Sequence, residues 1–290
     1  MNKKRVLIVG HGFVGKALEN SFQAHKVDFK IIDPKYKKTI SEYQDFDPQF
    51  IFICVPTPSN KDGSIDYSIL ESVVLESLSI FPNSAIVIKS TVLPNFKKRF
   101  DNHLERIILN PEFLTEKDAN QDFINSNFQI FGGNLSLCKK LEDFLKENTL
   151  CNFKISHFVS VEVATLIKYG INSFLAMKVI FFNQFKEIFE ELELSENDYS
   201  YFIDGMSLDK RIGKSHMQVP GPDGRHGFGG ACFPKDTNAL LKLFIKNELD
   251  FSLLSKVIEI NNELRKDYND LLKREIEQNI SFDISEKNDK

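Results

Sequence analysis

A glycine pattern close to the start of the chain constrains the fold more than any other feature. The apolar run from Arg5 to Val9 leads directly into Gly10-His-Gly12-Phe-Val-Gly15, and a helix-like segment follows. Glycine at the first two positions permits a tight turn and close approach of the backbone to a pyrophosphate, and the third lets a helix pack on a strand. The N-terminus of that helix faces the phosphates. The pattern predicts a strand–turn–helix unit that binds a dinucleotide.

An acidic residue on the next apolar run indicates which dinucleotide is bound. The run from Phe29 ends at Asp33, where a carboxylate would accept a hydrogen bond from the ribose of NAD. Since a carboxylate repels a 2′-phosphate, NAD is favoured over NADP. The alternative is a glycine turn in some other βα unit. His11 occupies a variable position of the pattern, and we expect it to be exposed rather than catalytic.

Apolar runs continue along the first half of the chain and alternate with helical patterns. This alternation predicts an α/β fold with a Rossmann-type, doubly wound parallel sheet, whose ligands bind beyond the carboxyl ends of the strands. Three of the runs end in loops that therefore border the cofactor cleft: Val55-Pro-Thr-Pro58, Lys89-Ser-Thr91-Val-Leu-Pro94 and Asn110-Pro-Glu112-Phe-Leu-Thr-Glu116. If the last loop begins a helix, Glu112 and Glu116 share one face. A capping threonine and solvated glutamates are the alternative.

The pattern changes to helical periodicity around residues 155–159. We therefore predict an NAD-binding domain over residues 1–157, an all-helical central domain over 158–280, and a frayed tail over 281–290. One long buried helix is expected from Val161 to about Glu191, because apolar residues recur with a period near 3.6. Lys168 and Asn172 lie four apart on it and could donate to one oxygen that gains negative charge. Lys168 could equally extend its stem to solvent.

A glycine-rich loop, Gly227 to Gly230, precedes a thiol, an amine and a carboxylate at Cys232, Lys235 and Asp236. If a helix begins near Pro234, its N-terminal end and Lys235 both favour the thiolate of Cys232. Cys232 is then a candidate nucleophile. The alternative is a buried cysteine in a glycine-rich turn.

Composition narrows the functional classes. The net charge is -4 and the basic residues are scattered, so nucleic acid is not expected as a partner. The four cysteines show no Cys-x-x-Cys spacing, which suggests neither a zinc site nor a disulfide framework. The apolar run that ends at Gly10 is too short for a signal-peptide core, and we expect a cytoplasmic protein without a membrane partner.

Taken in order, these motifs resemble the UDP-glucose/GDP-mannose dehydrogenase family over nearly the whole chain. The resemblance implies an NAD-dependent oxidoreductase of nucleotide-sugar metabolism and polysaccharide biosynthesis, and a homodimer formed through the 161–191 helix. It implies that Cys232 is the nucleophile and that Thr91, Glu116, Lys168, Asn172 and Asp236 assist. Implied cofactor contacts are Gly10, Gly12, Phe13, Val14, Gly15, Asp33, Val55, Pro56, Thr57, Thr91 and Lys235. Implied substrate contacts are Glu112, Phe113, Leu114, Lys168, Asn172, Arg211, Phe228, Gly229 and Cys232. The family's third domain is not recognisable, which leaves substrate affinity open.

The chemistry of a thiol beside a hydride acceptor favours one reaction. Oxidation of an alcohol to a carboxylate takes two hydride transfers, and a thiolate can hold the intermediate aldehyde as a thiohemiacetal and then a thioester. The resemblance makes UDP-glucose the favoured substrate. The alternatives are a two-domain NAD-dependent dehydrogenase of small hydroxy acids, which needs no thiol, and a non-catalytic NAD-binding module. A cysteine hydrolase using His226 ranks last.

Overall fold

A computed structural model describes residues 4–268 and 270–282. It contains two compact units. The first comprises the described residues up to Thr57 together with Asp66–Lys168, and the second comprises Pro58–Ile65 together with the described residues from Tyr169 onward. Most of the tail that we predicted to be frayed, residues 283–290, lies outside the described residues.

The first unit is built on a seven-stranded sheet in the order β2-β1-β3-β4-β5-β6-β7. The first five strands in the chain run parallel, β6 is antiparallel to β5, and β7 is parallel to β6. The strands are β1 Arg5–Val9, β2 Asp28–Ile32, β3 Phe50–Ile53, β4 Ala85–Ile88, β5 Ile107–Leu109, β6 Phe128–Gly133 and β7 Ile155–Val159. The predicted α/β class is confirmed, and the antiparallel pairing of β5 with β6 is a local departure from a fully parallel sheet.

The helices of the first unit bury the central strands. They are α1 Phe13–Ala24, α2 Ser68–Ile80, α3 Ala119–Ile124 and α4 Leu135–Asn148, with 3-10 segments at Pro34–Tyr36, Ser41–Phe46 and Pro94–Arg106. Phe50 and Phe144 contact each other with ring centroids 5.0 Å apart, and Phe22 packs on Phe52 at 5.5 Å. Strands covered on both faces read as continuous apolar runs, which is why the sequence located β1, β3 and β4.

The second unit is helical. Its helices are the greater part of α5 Val161–Glu191, then α6 Glu196–Ser207, α7 Phe233–Lys246, α8 Ser252–Arg265 and α9 Lys273–Glu277. The structure confirms the bounds predicted for the long helix. Within the described part of the chain, α5 alone has the length and composition of a membrane span, and 44% of its most apolar window is buried inside the structure. Core helices of soluble proteins meet the same criterion, so this is weak evidence for a membrane.

Candidate functional site

The glycine turn of the first unit has the geometry of a phosphate cradle. Gly10 has φ +92°, and a Cβ there would lie 2.6 Å from the carbonyl oxygen of Cys54. A Cβ at Gly15 would lie 2.2 Å from the carbonyl oxygen of Gly10, which explains why α1 packs so closely on β1. At Gly12, the N-cap of α1, no heavy atom of the described residues beyond the glycine and its chain neighbours lies within 4 Å of a Cβ position. The space open to a ligand is therefore at the helix N-terminus, which fits the pyrophosphate of a dinucleotide.

Asp33 follows β2 and helps to shape the glycine turn. Its carboxylate accepts hydrogen bonds from the backbone N–H of His11, at 2.7 Å, and of Lys35, at 3.1 Å. A carboxylate in this place is suited to the ribose hydroxyls of NAD.

Our expectation that His11 is exposed is wrong. Its side chain is 5% exposed, and Nε2 lies 2.6 Å from a carboxylate oxygen of Glu19. Nδ1 lies 2.8 Å from Lys35 Nζ and 2.8 Å from the Tyr36 hydroxyl. The 3-10 segment Pro34–Tyr36 brings the Lys35 ammonium and the Tyr36 hydroxyl to the imidazole. The glycine pattern did not predict this segment.

The loops after β3 and β4 are tied together. The hydroxyl of Thr57 donates to the carbonyl oxygen of Thr91 at 3.1 Å, and that of Ser90 donates to the carbonyl oxygen of Val55 at 2.7 Å. Val55 and Thr57 are buried and Pro56 is exposed. Cys54 packs against the hydrophobic core of the first unit, and burial raises the pKa of its thiol to about 12.

Glu112 and Lys168 form a buried pair in the first unit. Lys168 Nζ donates to the carbonyl oxygen of Glu112 at 2.7 Å and lies 3.7 Å from its carboxylate. The other carboxylate oxygen of Glu112 accepts from the backbone N–H of Leu114 at 2.6 Å. The Lys168 ammonium also lies 5.1 Å from the centre of the Phe113 ring. Four of the predicted substrate contacts, Glu112, Phe113, Leu114 and Lys168, are thus held together around an amine and a carboxylate.

The loop that carries these residues does not begin a helix at Glu112, so Glu112 and Glu116 do not share a helical face. Glu112 folds back onto its own loop and is buried, whereas Glu116 is exposed in a turn. The next helix begins at Ala119. The four-residue spacing could not show this. Two residues four apart share a face only where the segment is helical, and the spacing does not establish a helix.

Lys89, directly after β4, is a buried amine for which the sequence analysis predicted no role. Its Nζ donates to the amide oxygen of Asn110 at 2.9 Å, and the amide nitrogen of Asn110 donates to Gln129 at 3.0 Å. Burial lowers the pKa of Lys89. It lines a cavity of about 280 Å³ with Glu112, Phe113 and Leu114. A lysine directly after a fully buried strand was the signal that could have identified it.

The second unit places Cys232 at the start of a helix. Cys232 is the N-cap residue of α7, Pro234 stands in its first turn, and the carbonyl oxygen of Cys232 accepts from the N–H of Asp236 at 2.8 Å. The predicted helix start near Pro234 is confirmed. The side chain of Cys232 is partly exposed.

The carboxylate of Asp236 is fully buried and paired on both oxygens. Asn172 Nδ2 donates to one oxygen at 2.6 Å, and Lys235 Nζ donates to the other at 2.6 Å. Lys235 itself is 6% exposed. Four of the predicted catalytic and cofactor residues are therefore brought to the first turn of α7 and the facing part of α5. A buried charge held this way fixes the direction of its partners.

The other predicted substrate contacts of the second unit are Arg211, Phe228 and Gly229. The side chain of Arg211 is 88% exposed and makes a bidentate contact with Asp209. The ring of Phe228 lies in an apolar cluster with Ile180 and Val257. Gly229 lies in the loop before Cys232. Among residues 4–268 and 270–282, no group of three or more acidic, histidine or cysteine side chains could hold a metal ion.

Models of one family match both units of the chain. The UDP-glucose/GDP-mannose dehydrogenase family, NAD binding domain, matches residues 40–147, and the central domain of the same family matches residues 162–263. Together the two matches cover well over half of the sequence, and the first identifies NAD as the cofactor.

Relatives and solved structures agree with the family models. UDP-glucose 6-dehydrogenase of Rickettsia bellii is 37% identical over 226 residues, which are 73% of this chain and 49% of that protein. A UDP-glucose dehydrogenase structure from Pyrobaculum islandicum has a TM-score of 0.74 at 23% identity and covers 91% of this chain and 69% of that one. A 3-hydroxyisobutyrate dehydrogenase structure from Mycobacterium tuberculosis has a TM-score of 0.68 at 16% identity, covering 92% and 96%. The chain spans about half the length of the curated relative.

Proposed function

Since the chain belongs to the UDP-glucose/GDP-mannose dehydrogenase family, we propose that it oxidises the C6 alcohol of a nucleotide-diphosphate sugar to the carboxylate, with UDP-glucose as the favoured substrate. The observation that carries the proposal is Cys232 at the N-cap of α7, with the fully buried Asp236 in the first turn of that helix. A thiol can retain an aldehyde covalently between two oxidations, whereas a single oxidation does not require one.

Each residue of the proposed site has a chemical task. NAD, when bound, supplies the hydride acceptor for both oxidations. A glutamate, directly or through water, takes the proton of the C6 hydroxyl in the first. The thiolate of Cys232 then adds to the aldehyde carbon and forms a C–S bond, and Lys168 and Asn172 donate to the resulting alkoxide.

Loss of the second hydride from this thiohemiacetal gives a thioester, since the carbon keeps its bond to sulfur while it is oxidised. Water then attacks the thioester carbonyl, with the assistance that the family resemblance assigns to Thr91, Glu116 and Asp236. The C–S bond breaks, and the thiolate and the carboxylate are released. The hydrogen bond from Asn172 to the buried Asp236, at 2.6 Å, supports the role of Asn172. It fixes the amide of Asn172 at the start of the helix that bears the nucleophile.

Two alternative functions make different predictions. A hydroxy-acid dehydrogenase fits the length, because the chain covers 96% of the 3-hydroxyisobutyrate dehydrogenase structure, but a likeness at 16% identity concerns the fold alone. It would lose little activity on replacement of Cys232. A non-catalytic NAD-binding module would reduce no NAD with any sugar, with or without the thiol.

Exposed apolar side chains on α5 support a homodimer. On α5, Phe174 is 66% exposed, Phe181 48% and Ile188 47%. Large exposed apolar side chains on one helix are typical of an interface. We include in the proposal a soluble, cytoplasmic homodimer that forms through this helix.

The proposal is tested by measuring uronate formed from UDP-glucose, GDP-mannose and UDP-N-acetylmannosamine in the presence of NAD. We expect Cys232→Ser to abolish uronate while NAD binding is retained. Cys54→Ala is the matched control, because burial raises the pKa of that thiol to about 12 and leaves it unreactive. Uronate production by Cys232→Ser at the normal rate would refute the role of the cysteine.

A further inference from the structure

The loop before Cys232 is held through its backbone by side chains from three helices of the second unit. Asn183 accepts the N–H of Gly227 at 2.9 Å, Asn261 accepts that of Phe228 at 2.6 Å, and Glu275 accepts that of Gly230 at 2.8 Å. These acceptors come from α5, α8 and α9. Loops usually satisfy their backbone groups with water or with each other, so this degree of anchoring is a specific feature of the segment.

Two of the groups around the loop carry buried charges. Arg265 is 2% exposed, and it donates to Asp223 at 2.7 Å and to the carbonyl oxygen of Gly227 at 3.1 Å. Glu275 is 0% exposed, and its second carboxylate oxygen accepts from the N–H of Leu272 at 2.7 Å. Buried charges are costly unless they are well paired, so they add little stability relative to an apolar core. Their value here is the geometry that they impose.

Gly229 shows how closely the backbone sits against these charges. A Cβ at Gly229 would lie 2.6 Å from Nη1 of Arg265 and 2.6 Å from Oε1 of Glu275, a separation that real Cβ atoms do not show. Its φ does not lie in the left-handed region, so the glycine is required by close approach and not by its dihedral angle. Adding one methyl group at this position would displace the loop or the charged pair.

We propose that Arg265 and Glu275 are positioning residues that fix Gly229 and Gly230, and through them hold the thiol of Cys232 at the first turn of α7. Gly230 is bound by Glu275 and lies two residues before Cys232. A thiol held at a helix N-terminus is more readily ionised than one in a free loop. The inference rests on the proposed function for its catalytic consequence, but the positioning can be measured without turnover.

The carboxylate of Glu275 is suited to this role because it has an acceptor for each of two backbone N–H groups, those of Gly230 and Leu272. A glutamine has the same shape but only one amide oxygen, so one of the two N–H groups would face an NH₂ group. Glu275→Gln therefore loosens the anchor with little change in volume. Gly229→Ala perturbs the same anchor from the loop side.

The test is the pH dependence of alkylation of Cys232 by iodoacetamide, followed by mass spectrometry of the peptide that contains it. The other cysteines react slowly, because burial raises the pKa values of Cys54, Cys138 and Cys151. We expect Glu275→Gln and Gly229→Ala each to raise the pH of half-maximal alkylation by about half a pH unit, the size of a helix-terminus effect. At pH 7 this corresponds to alkylation that is roughly threefold slower.

Two substitutions serve as matched controls. Gly205→Ala places a methyl group where no heavy atom of the described residues, other than its own helix, lies within 4 Å. Glu277→Gln changes a partly exposed glutamate on the same helix as Glu275. Both should retain the midpoint of the unaltered protein. Circular dichroism establishes that each variant is folded, and Glu275→Gln alone decides the test if Gly229→Ala does not fold.

If the pH of half-maximal alkylation were unchanged in Glu275→Gln, the proposal would be overturned. This holds even if alkylation became faster at every pH, because a uniformly faster reaction reports only greater exposure of the thiol. Where the chain oxidises a nucleotide sugar, the same variant should lower kcat without changing KM for NAD. Should no sugar be oxidised, the proposed function fails while the alkylation result still decides the positioning.

Discussion

Replacement of Asp236 by Asn should destabilise the second unit more than its single changed atom suggests. The carboxylate is 0% exposed and receives hydrogen bonds from Lys235 and Asn172, both at 2.6 Å. In the variant, the ammonium of Lys235 stays buried without its counter-charge. One of the two donors also meets an NH₂ group in place of an oxygen.

The size of the effect follows from the burial of both partners. Removing one member of a buried ion pair costs about 3–5 kcal/mol, because the remaining charge is left uncompensated. We therefore expect the free energy of unfolding to fall by about 4 kcal/mol, on the order of a thousandfold in the ratio of folded to unfolded protein.

Urea unfolding followed by circular dichroism at neutral pH measures this loss. The matched control is Glu259→Gln, since Glu259 also pairs with a lysine at 2.6 Å but is 55% exposed in its side chain. An exposed pair contributes little, so the control should unfold as the unaltered protein does. Lys235→Met added to Asp236→Asn should recover most of the loss. If Asp236→Asn were no less stable than Glu259→Gln, the buried pair of Lys235 and Asp236 would not stabilise the second unit.

Three further predictions concern other parts of the chain. Asp33→Ala should narrow the preference for NAD over NADP in binding assays, because a carboxylate that repels a 2′-phosphate is removed; an unchanged ratio would exclude Asp33 as the selector. Burial and the Lys178 charge lower the pKa of His216 below 6.5. As pH drops below 6.5, the imidazole is therefore protonated in the unfolded chain before it is protonated in the folded one, and the free energy of unfolding falls. His216→Gln should flatten that decline in acid unfolding curves, and an identical slope would contradict the assignment. Phe174→Glu should shift the protein from dimer to monomer in light scattering, since Phe174 is 66% exposed on α5; a dimer that persists would place the interface elsewhere.

Elements with strong apolar periodicity could be predicted from the sequence. The strands β1, β3 and β4 are buried on both faces and read as unbroken apolar runs, and α5 shows a sustained helical period. By contrast, β7 lies at the edge of the sheet, and Ile155 in it is 61% exposed. An edge strand with little burial leaves no periodic signal, so the sequence marked residues 155–159 only as a change of pattern.

The candidate site was predictable where chemistry is concentrated in a short motif. Cys232, Lys235 and Asp236 stand within five residues, and the helix start at Pro234 placed them correctly relative to one another. Contacts between distant parts of the chain were not predictable. Lys89 with Asn110 and Glu275 with Gly230 are separated by 21 and 45 residues, and only the fold brings them together.

The most direct test of the account is the number of NADH molecules formed for each molecule of nucleotide sugar consumed. Oxidation of an alcohol through a thiohemiacetal to a carboxylate requires two hydride transfers. With limiting UDP-glucose and excess NAD, we predict two NADH per uronate, measured by absorbance and by chromatography of the sugar nucleotide, with no free aldehyde. A ratio of one NADH per sugar, with the aldehyde as the product of the unaltered protein, would contradict the assignment of Cys232 as the nucleophile.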